Sequence, residues 1–133
     1  GGKTPVARAM SFLAEHKLGS LGALVLGTVQ LGLPYGIANR TGQPSSESAR
    51  AILDTAYACS IRVLDTAQAY GNSEAIIGQY RRAHPEQHFH VVSKLDPALD
   101  HLDSAVVTDA VRHSVSRTGG PLAGIMLHDP SKL

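Results

Sequence analysis

The fold of this chain is decided by residues 61–74, IRVLDTAQAYGNSE. A mostly apolar run ends in the carboxylate of Asp65, and the phenol of Tyr70 follows five residues later. The Gly-Asn-Ser turn after Tyr70 leads into a helical pattern, so the stretch predicts a buried strand, a loop and a helix. An acid and a phenol in the loop above a buried strand are typical of barrel enzymes, which build their active sites there.

Strand and helix patterns alternate along the chain, and the strand ends fall about 30 to 40 residues apart. Apolar segments predict four strands, which are Leu21–Leu26, Ile61–Asp65, Phe89–Lys94 and Leu122–His128. Repeated strand–helix units of this length indicate parallel strands that are joined by right-handed crossovers.

Apolar residues at helical spacing, together with polar residues that cap helix starts, predict four helices. The first covers residues 5–18, and each of the first three strands is followed by one of the others. Those three are expected to begin at Ser45 or Ser46, at Asn72 or Ser73, and at Asp103 or Ser104. The helix after the first strand has an apolar face formed by Ala49, Ile52, Leu53 and Ala56. Residues 33–44, which precede that helix, are rich in turn-forming residues and predict a long loop.

Four polar side chains coincide with the carboxyl ends of the predicted strands, namely Thr28, Asp65, Lys94 and His128. In a (β/α)8 barrel, the TIM-barrel fold, catalysis takes place at this face. A complete barrel needs about 250 residues, so 133 residues are expected to supply about the first four βα units, a half-barrel. The rival topology is a doubly wound sheet, which requires a glycine-rich phosphate turn directly after a strand. The nearest segment, residues 27–32, lacks the middle glycine and is not expected to lead into a helix.

Composition and charge argue against several classes of protein. Hydrophobic residues make up 43% of the chain, which argues against disorder. The charges of the 12 basic and 11 acidic side chains nearly cancel, so the net charge gives no indication of binding to nucleic acid or anionic lipid. The longest apolar stretch, residues 21–26, is far too short to span a bilayer. A single cysteine, Cys59, excludes an internal disulfide and fits a reducing compartment. The chain starts with neither a Met nor an apolar signal region, which predicts a cytoplasmic protein whose natural N-terminus lies further upstream.

The stretch from Asp65 to Glu74 resembles the signature of the aldo-keto reductases, in which the matching Asp and Tyr belong to a catalytic tetrad. Lys94 and His128 match the other two members, in the expected order along the chain. The resemblance implies a TIM barrel that reduces an aldehyde or a ketone to an alcohol with NADPH. It also implies cofactor-binding residues, which are Gly27, Thr28 and Asp65, with Thr28 lining the nicotinamide pocket.

The resemblance gives each member of the tetrad a role. Tyr70 is the general acid that protonates the carbonyl oxygen while the nicotinamide delivers a hydride to the carbonyl carbon. Lys94, held by Asp65, makes the phenol a better proton donor, and His128 orients the carbonyl by a hydrogen bond. Taken singly, each residue has an ordinary explanation, because a strand-end Asp can cap a turn and a half-buried Tyr often only packs. Four matches in order favour the catalytic interpretation.

Two features depart from the family pattern. Residues 1–20 are predicted to form an N-terminal helical extension or linker, whereas the family usually begins with a short hairpin. Residues 21–133 are predicted to be the N-terminal half of the barrel. The family binds its cofactor mainly through strands and loops that come later than this half. A non-catalytic truncated or regulatory barrel fragment is therefore the alternative to a reductase. A third reading is a Schiff-base aldolase that uses Lys94.

The expected partner is a small-molecule carbonyl substrate, with no nucleic acid and no membrane. An open half-barrel is also expected to self-associate through the unpaired edge of its last strand. His88 and His90 would place two imidazoles on one strand face, as in some metal-dependent hydrolases. Both residues come at the start of their strand rather than at its catalytic end, so no metal site is predicted.

Overall fold

The structure, a computed structural model, describes residues 24–32 and 45–127. Its elements are β1 (Val25–Gly27), α1 (Val29–Gly32), α2 (Ser46–Ala58), β2 (Val63–Asp65), α3 (Ser73–Ala83), β3 (His90–Leu95), α4 (Ser104–Arg117) and β4 (Gly124–Leu127). The four strands form one parallel sheet in the order β1-β2-β3-β4. Parallel strands that alternate with helices in this way confirm the predicted half of a (β/α)8 barrel.

The register of the sheet brings the carboxyl ends of the strands together. One row across the sheet contains Gly27, Asp65, Val92 and Gly124. Lys94 lies two residues beyond Val92 on β3. Since successive side chains of a strand alternate between the two faces, residues two apart share a face. Asp65 and Lys94 therefore lie on the same face of neighbouring strands, which is called the barrel face below.

The other face of the sheet packs against the helices and forms the core. Leu64 and Val91, at or near the centres of β2 and β3, are fully buried. They meet Leu53 of α2 and Ile77 of α3 in one apolar cluster. Each fully buried side chain of this size contributes about 1.5 to 3 kcal/mol to folding. This cluster is what holds the helices against the sheet and so fixes the strand ends.

All three predicted helix starts are confirmed, and the predicted side-chain caps are confirmed at two of them. The Ser45 hydroxyl accepts a hydrogen bond from the Ser48 backbone N–H at 3.1 Å, which caps α2. Asp103 caps α4 by accepting from two backbone N–H groups of its first turn. At α3 the expected side-chain cap is wrong, because Asn72 makes no capping bond. The hydroxyl of Ser73 is bonded between strand ends instead, as described below.

Two local predictions differ from the structure. On α2, Ala49, Leu53 and Ala56 are buried as predicted, but Ile52 is 38% exposed. Ile52 lies about 60° around the helix axis from Ala49, at the edge of the buried stripe. The expectation that residues 27–32 do not lead into a helix is wrong locally, since Val29–Gly32 form the helical turn α1; four residues are too few to show a helical period.

Several predictions concern residues outside the described ranges. They are the helix at residues 5–18, the domain boundary near residue 20, the loop at residues 33–44 and the position of His128. These stay predictions. Within the described ranges, no helix has the length and apolar composition needed to cross a membrane.

Candidate active site

Asp65 and Lys94 form an ion pair at the ends of β2 and β3. The Lys94 ammonium donates a hydrogen bond to the Asp65 carboxylate and a second one, of 3.1 Å, to the backbone carbonyl of Thr66. The Lys94 side chain is only 13% exposed, whereas that of Asp65 is 39% exposed. The parallel register creates the pair, because it sets these two side chains on one face of adjacent strands. The ammonium is thereby fixed at the carboxyl edge of the sheet.

Tyr70 lies in the loop between β2 and α3, next to this ion pair. The loop turns tightly, since the Tyr70 N–H donates to the Ala67 carbonyl at 3.1 Å and the Tyr70 carbonyl accepts from the Ser73 N–H at 3.0 Å. Gly71 has a φ of 57°, a left-handed conformation that glycine adopts without steric cost. The Lys94 Nζ atom lies 5.2 Å from the centre of the Tyr70 ring, within the range of a cation–π contact.

The structure thus brings three of the four predicted tetrad residues together, namely Asp65, Tyr70 and Lys94. His128 is outside the described residues. The last strand, β4, ends at Leu127, and Met126 on that strand pairs with Lys94. The prediction that His128 joins the site therefore stays a prediction.

A chain of buried hydroxyl groups supports the strand end at Asp65. Thr28, Thr66 and Ser73 are each 0% exposed. The Thr28 hydroxyl lies 2.9 Å from the Asp65 backbone carbonyl, to which it can donate, and 2.8 Å from the Ser73 hydroxyl. The Ser73 hydroxyl lies 2.9 Å from the Thr66 hydroxyl and 3.1 Å from the Thr28 backbone carbonyl, to which it can donate. The three hydroxyls therefore form one connected set of hydrogen bonds that reaches the Asp65 backbone.

These hydrogen-bonded hydroxyl groups connect the ends of β1 and β2 to the first residue of α3. This arrangement also engages the Thr28 hydroxyl, which is fully buried, and the assignment of Thr28 to the nicotinamide pocket stays a prediction. The sequence does not predict these hydroxyl–hydroxyl hydrogen bonds, because Thr66 and Ser73 are ordinary residues for a turn and a helix start.

Glu74, in the first turn of α3, is buried and paired. Its side chain is 2% exposed, accepts a hydrogen bond from the Ser93 hydroxyl at 2.9 Å and lies 3.4 Å from the Arg117 guanidinium. From the sequence, Glu74 is a favourable charge near the positive end of a helix. The structure adds that this carboxylate links α3, β3 and α4 behind the Tyr70 loop. Removing one partner from such a buried group is strongly destabilising.

A second tyrosine, Tyr80, is a poor candidate for the proton donor. Its hydroxyl donates to the Asp54 carboxylate at 2.6 Å on the helix side of the sheet. Burial, and next the bond to Asp54, raise the pKa of Tyr80 well above that of a free phenol. Its side chain belongs to the apolar core rather than to the carboxyl edge of the sheet.

The histidines give no metal centre in the part of the chain that the structure describes. No group of three or more His, Cys, Asp and Glu side chains lies close enough together there to hold a metal ion. His88 and His90 are both exposed at the start of β3, far along that strand from Lys94.

Comparison with known proteins assigns the chain to a family. A model of the aldo/keto reductase family matches residues 23–132, which is most of the chain. The chain therefore belongs to the aldo/keto reductase family. No curated protein matches it in sequence.

Solved structures of aldo-keto reductases share this half of the fold. A candidate aldo-keto reductase from Pseudomonas aeruginosa is 28% identical, with a TM-score of 0.70 over 83% of this chain and 44% of its own. Another such structure from that organism is 29% identical, with a TM-score of 0.67 over 83% of this chain and 42% of its own. An aldo-keto reductase from Klebsiella pneumoniae in complex with NADPH is 25% identical, with a TM-score of 0.62 over 81% and 35%. The chain spans less than half the length of each of these proteins.

Proposed function

We propose that the natural protein containing this chain reduces an aldehyde or a ketone to an alcohol with NADPH, with Tyr70 as general acid. The observation that carries the proposal is the ammonium of Lys94, fixed by Asp65 beside the Tyr70 ring. A phenol next to a fixed cation is suited to giving up a proton. Membership in a family that includes an NADPH complex supports the choice of cofactor. We also propose a cytoplasmic location, a small-molecule substrate, and neither a nucleic-acid nor a membrane partner.

In the proposed reaction the bound cofactor supplies a hydride to the carbonyl carbon. The Tyr70 O–H bond breaks and its proton joins the carbonyl oxygen, which leaves a phenolate. The ammonium of Lys94 stabilises the negative charge of that phenolate at short range. The ammonium itself is held in place, because Asp65 and the Thr66 carbonyl accept its hydrogen bonds. Tyr70 regains a proton from solvent before the next turnover.

The barrel face has room for a ligand beside Asp65. Gly27 occupies the same row as Asp65, and a Cβ atom added at Gly27 would meet no heavy atom of the described residues within 4 Å. Gly27 and Asp65 are therefore the described residues that would hold the nicotinamide half of NADPH. The residues present fit the cofactor at this point.

Side chains of increasing size at Gly27 are predicted to weaken NADPH binding without destabilising the fold. Glycine in a strand costs about 0.5 to 1 kcal/mol relative to alanine, so Gly27→Ala is expected to leave the thermal midpoint unchanged or raise it. Gly27→Val is expected to raise the Kd for NADPH at least about tenfold, which is 1.4 kcal/mol. Titration of nicotinamide fluorescence with the full-length variants measures the Kd. An affinity that is the same across glycine, alanine and valine would place the cofactor elsewhere.

The aldolase reading is less well supported. Imine formation requires a free amine at Lys94, whereas the ammonium of Lys94 is held in an ion pair. The alternative, a non-catalytic truncated or regulatory barrel fragment, is distinguished from a reductase by measuring NADPH binding and turnover of the full natural protein.

The chain of residues 1–133 by itself is predicted to self-associate and to bind NADPH weakly or not at all. Val25 and Met126, on the barrel face, are 55% and 49% exposed. In the described part of the sheet, β1 and β4 each have one neighbouring strand and so present unpaired edges. Exposed apolar surface and open edges favour association. Sedimentation gives the mass of the purified chain, and nicotinamide fluorescence gives its affinity for NADPH. Micromolar binding by a monodisperse monomer would contradict this prediction.

The proposed function itself is tested with the full natural reading frame that contains these residues. We expect NADPH to be oxidised only when an aldehyde or ketone is present, with one alcohol formed for each NADPH consumed. The loss of nicotinamide absorbance across a panel of carbonyl compounds measures this. Absence of turnover with the whole panel, together with absence of NADPH binding, would favour the non-catalytic candidate.

A further inference from the structure

Gln68 lies in the loop between Asp65 and Tyr70, and its side chain joins this loop to two other elements. The amide oxygen accepts a hydrogen bond of 2.8 Å from the backbone N–H of Asp96, just after β3. The amide nitrogen donates to the Ala110 carbonyl at 3.0 Å and to the Ser114 hydroxyl at 2.8 Å, both on α4. A single side chain therefore connects the Tyr70 loop, the end of β3 and the middle of α4.

Chemistry fixes the orientation of the Gln68 amide. Only its oxygen can accept from a backbone N–H, so the nitrogen must face α4, where two oxygen atoms accept its two hydrogens. The backbone of Gln68 adds a further bond, since its N–H donates to the Lys94 carbonyl at 3.1 Å. The main chain of Gln68 is thus bonded to β3 at Lys94. Its side chain is bonded to Asp96, just after β3, and to α4.

We propose that Gln68 is a positioning residue that holds Tyr70 at its working distance from Lys94. The inference rests on the proposed function, because it assigns Gln68 a part in proton donation by Tyr70. Gln68 acts through the loop and does not touch the reacting atoms. Only Ala69 separates Gln68 from Tyr70, so a shift of the Gln68 backbone is passed on to the phenol. A misplacement of about 1 Å at a reacting group can lower a rate about 10²-fold.

No other side chain reproduces this set of bonds. Glutamate keeps an oxygen for the Asp96 N–H but turns a second oxygen toward the acceptors on α4. Methionine keeps the length and volume of glutamine and makes none of the three bonds. A groove of about 460 Å³ borders the amide and includes Asp96, Ala110 and His113 in its lining. Water in this groove can reach Asp96 and Ala110, which hold two of the three groups that Gln68→Met leaves without a partner, so this variant is expected to fold.

The test is a double-mutant cycle in the full-length enzyme. Single-turnover oxidation of bound NADPH is measured so that product release does not mask the chemical step. Gln68→Met is expected to lower this rate about 10- to 100-fold when Tyr70 is present, and less than about threefold in the Tyr70→Phe background. A residue that only stabilises the fold would have the same effect in both backgrounds. Gln79→Met, at an exposed position of α3, is the control and is expected to leave the rate unchanged.

A second readout does not depend on activity. Amide hydrogen exchange across residues 66–72 is expected to be faster in Gln68→Met than in the unmodified protein, and unchanged in Gln79→Met. If the unmodified enzyme reduces carbonyls but Gln68→Met keeps both its rate and its exchange protection, the inference is wrong and the proposed function stands. If the unmodified protein has no reductase activity, the proposed function fails, and the exchange result alone decides whether Gln68 holds the loop. Should Gln68→Met not fold, Ser114→Ala removes one acceptor on α4, and a smaller effect that again depends on Tyr70 is expected.

Discussion

Replacement of Tyr70 by phenylalanine is expected to lower the rate of carbonyl reduction by the full-length enzyme about 10²- to 10⁴-fold, the usual contribution of general acid catalysis. The change removes only the hydroxyl group, so the ring stays beside the Lys94 ammonium and the loop keeps its backbone hydrogen bonds. The free energy of unfolding should therefore change by less than about 1 kcal/mol. Initial rates of NADPH oxidation and urea unfolding curves measure the two quantities.

The matched control for this experiment is Tyr57→Phe. Tyr57 is also half-buried, and its ring packs edge-on, at a centroid distance of 5.5 Å, against Phe89, which precedes β3, whereas Lys94 lies near the end of that strand. The same loss of a hydroxyl there is expected to leave the rate unchanged. A Tyr70→Phe enzyme that keeps most of its activity would show that another group donates the proton.

The topology could be predicted from the sequence because its signals are local. An apolar run predicts each strand. Apolar residues at helical spacing and a capping residue, such as Ser45 or Asp103, predict each helix. The positions of Asp65 and Lys94 at strand ends then follow from the parallel arrangement. Their pairing is a consequence of register, which the alternation of side chains fixes once the strands are adjacent.

The supporting bonds around the site could not be predicted, because they join residues that are distant in sequence. The Thr28 and Ser73 hydroxyls meet across 45 positions, and the Gln68 amide meets Ser114 across 46. Nothing in the local sequence distinguishes Ser73 from a helix-capping serine, and for that reason its expected cap was wrong. Burial of Glu74 is likewise set by Ser93 and Arg117, which arrive from other elements. The sequence predicts the candidate reacting groups, and it does not reveal the hydrogen bonds that hold them in place.

Close approach between helices is another feature that the sequence does not reveal, and it leads to a large predicted effect on stability. Gly78 lies in the middle of α3, where an added Cβ atom would come within 1.8 Å of the Arg117 carbonyl oxygen at the end of α4. Real side chains essentially never approach backbone atoms so closely, so α4 would have to move. In a helix that is free of neighbours, Gly→Ala would instead stabilise the protein by about 1 kcal/mol.

The cost of the steric clash is expected to exceed the gain from the higher helix propensity of alanine. Gly78→Ala should therefore destabilise the protein by about 3 kcal/mol, at the upper end of the cost of overpacking. A shift of α4 would also strain the contact of Arg117 with the buried Glu74 carboxylate. Urea unfolding of the full-length protein measures the effect as a lower midpoint with an unchanged slope. The same substitution at Gly27, where a Cβ atom has open space, is the control and is expected to leave the midpoint unchanged or raise it. An equal or higher midpoint for Gly78→Ala would mean that α3 and α4 are further apart than described, and that Glu74 is held by Ser93 rather than by Arg117.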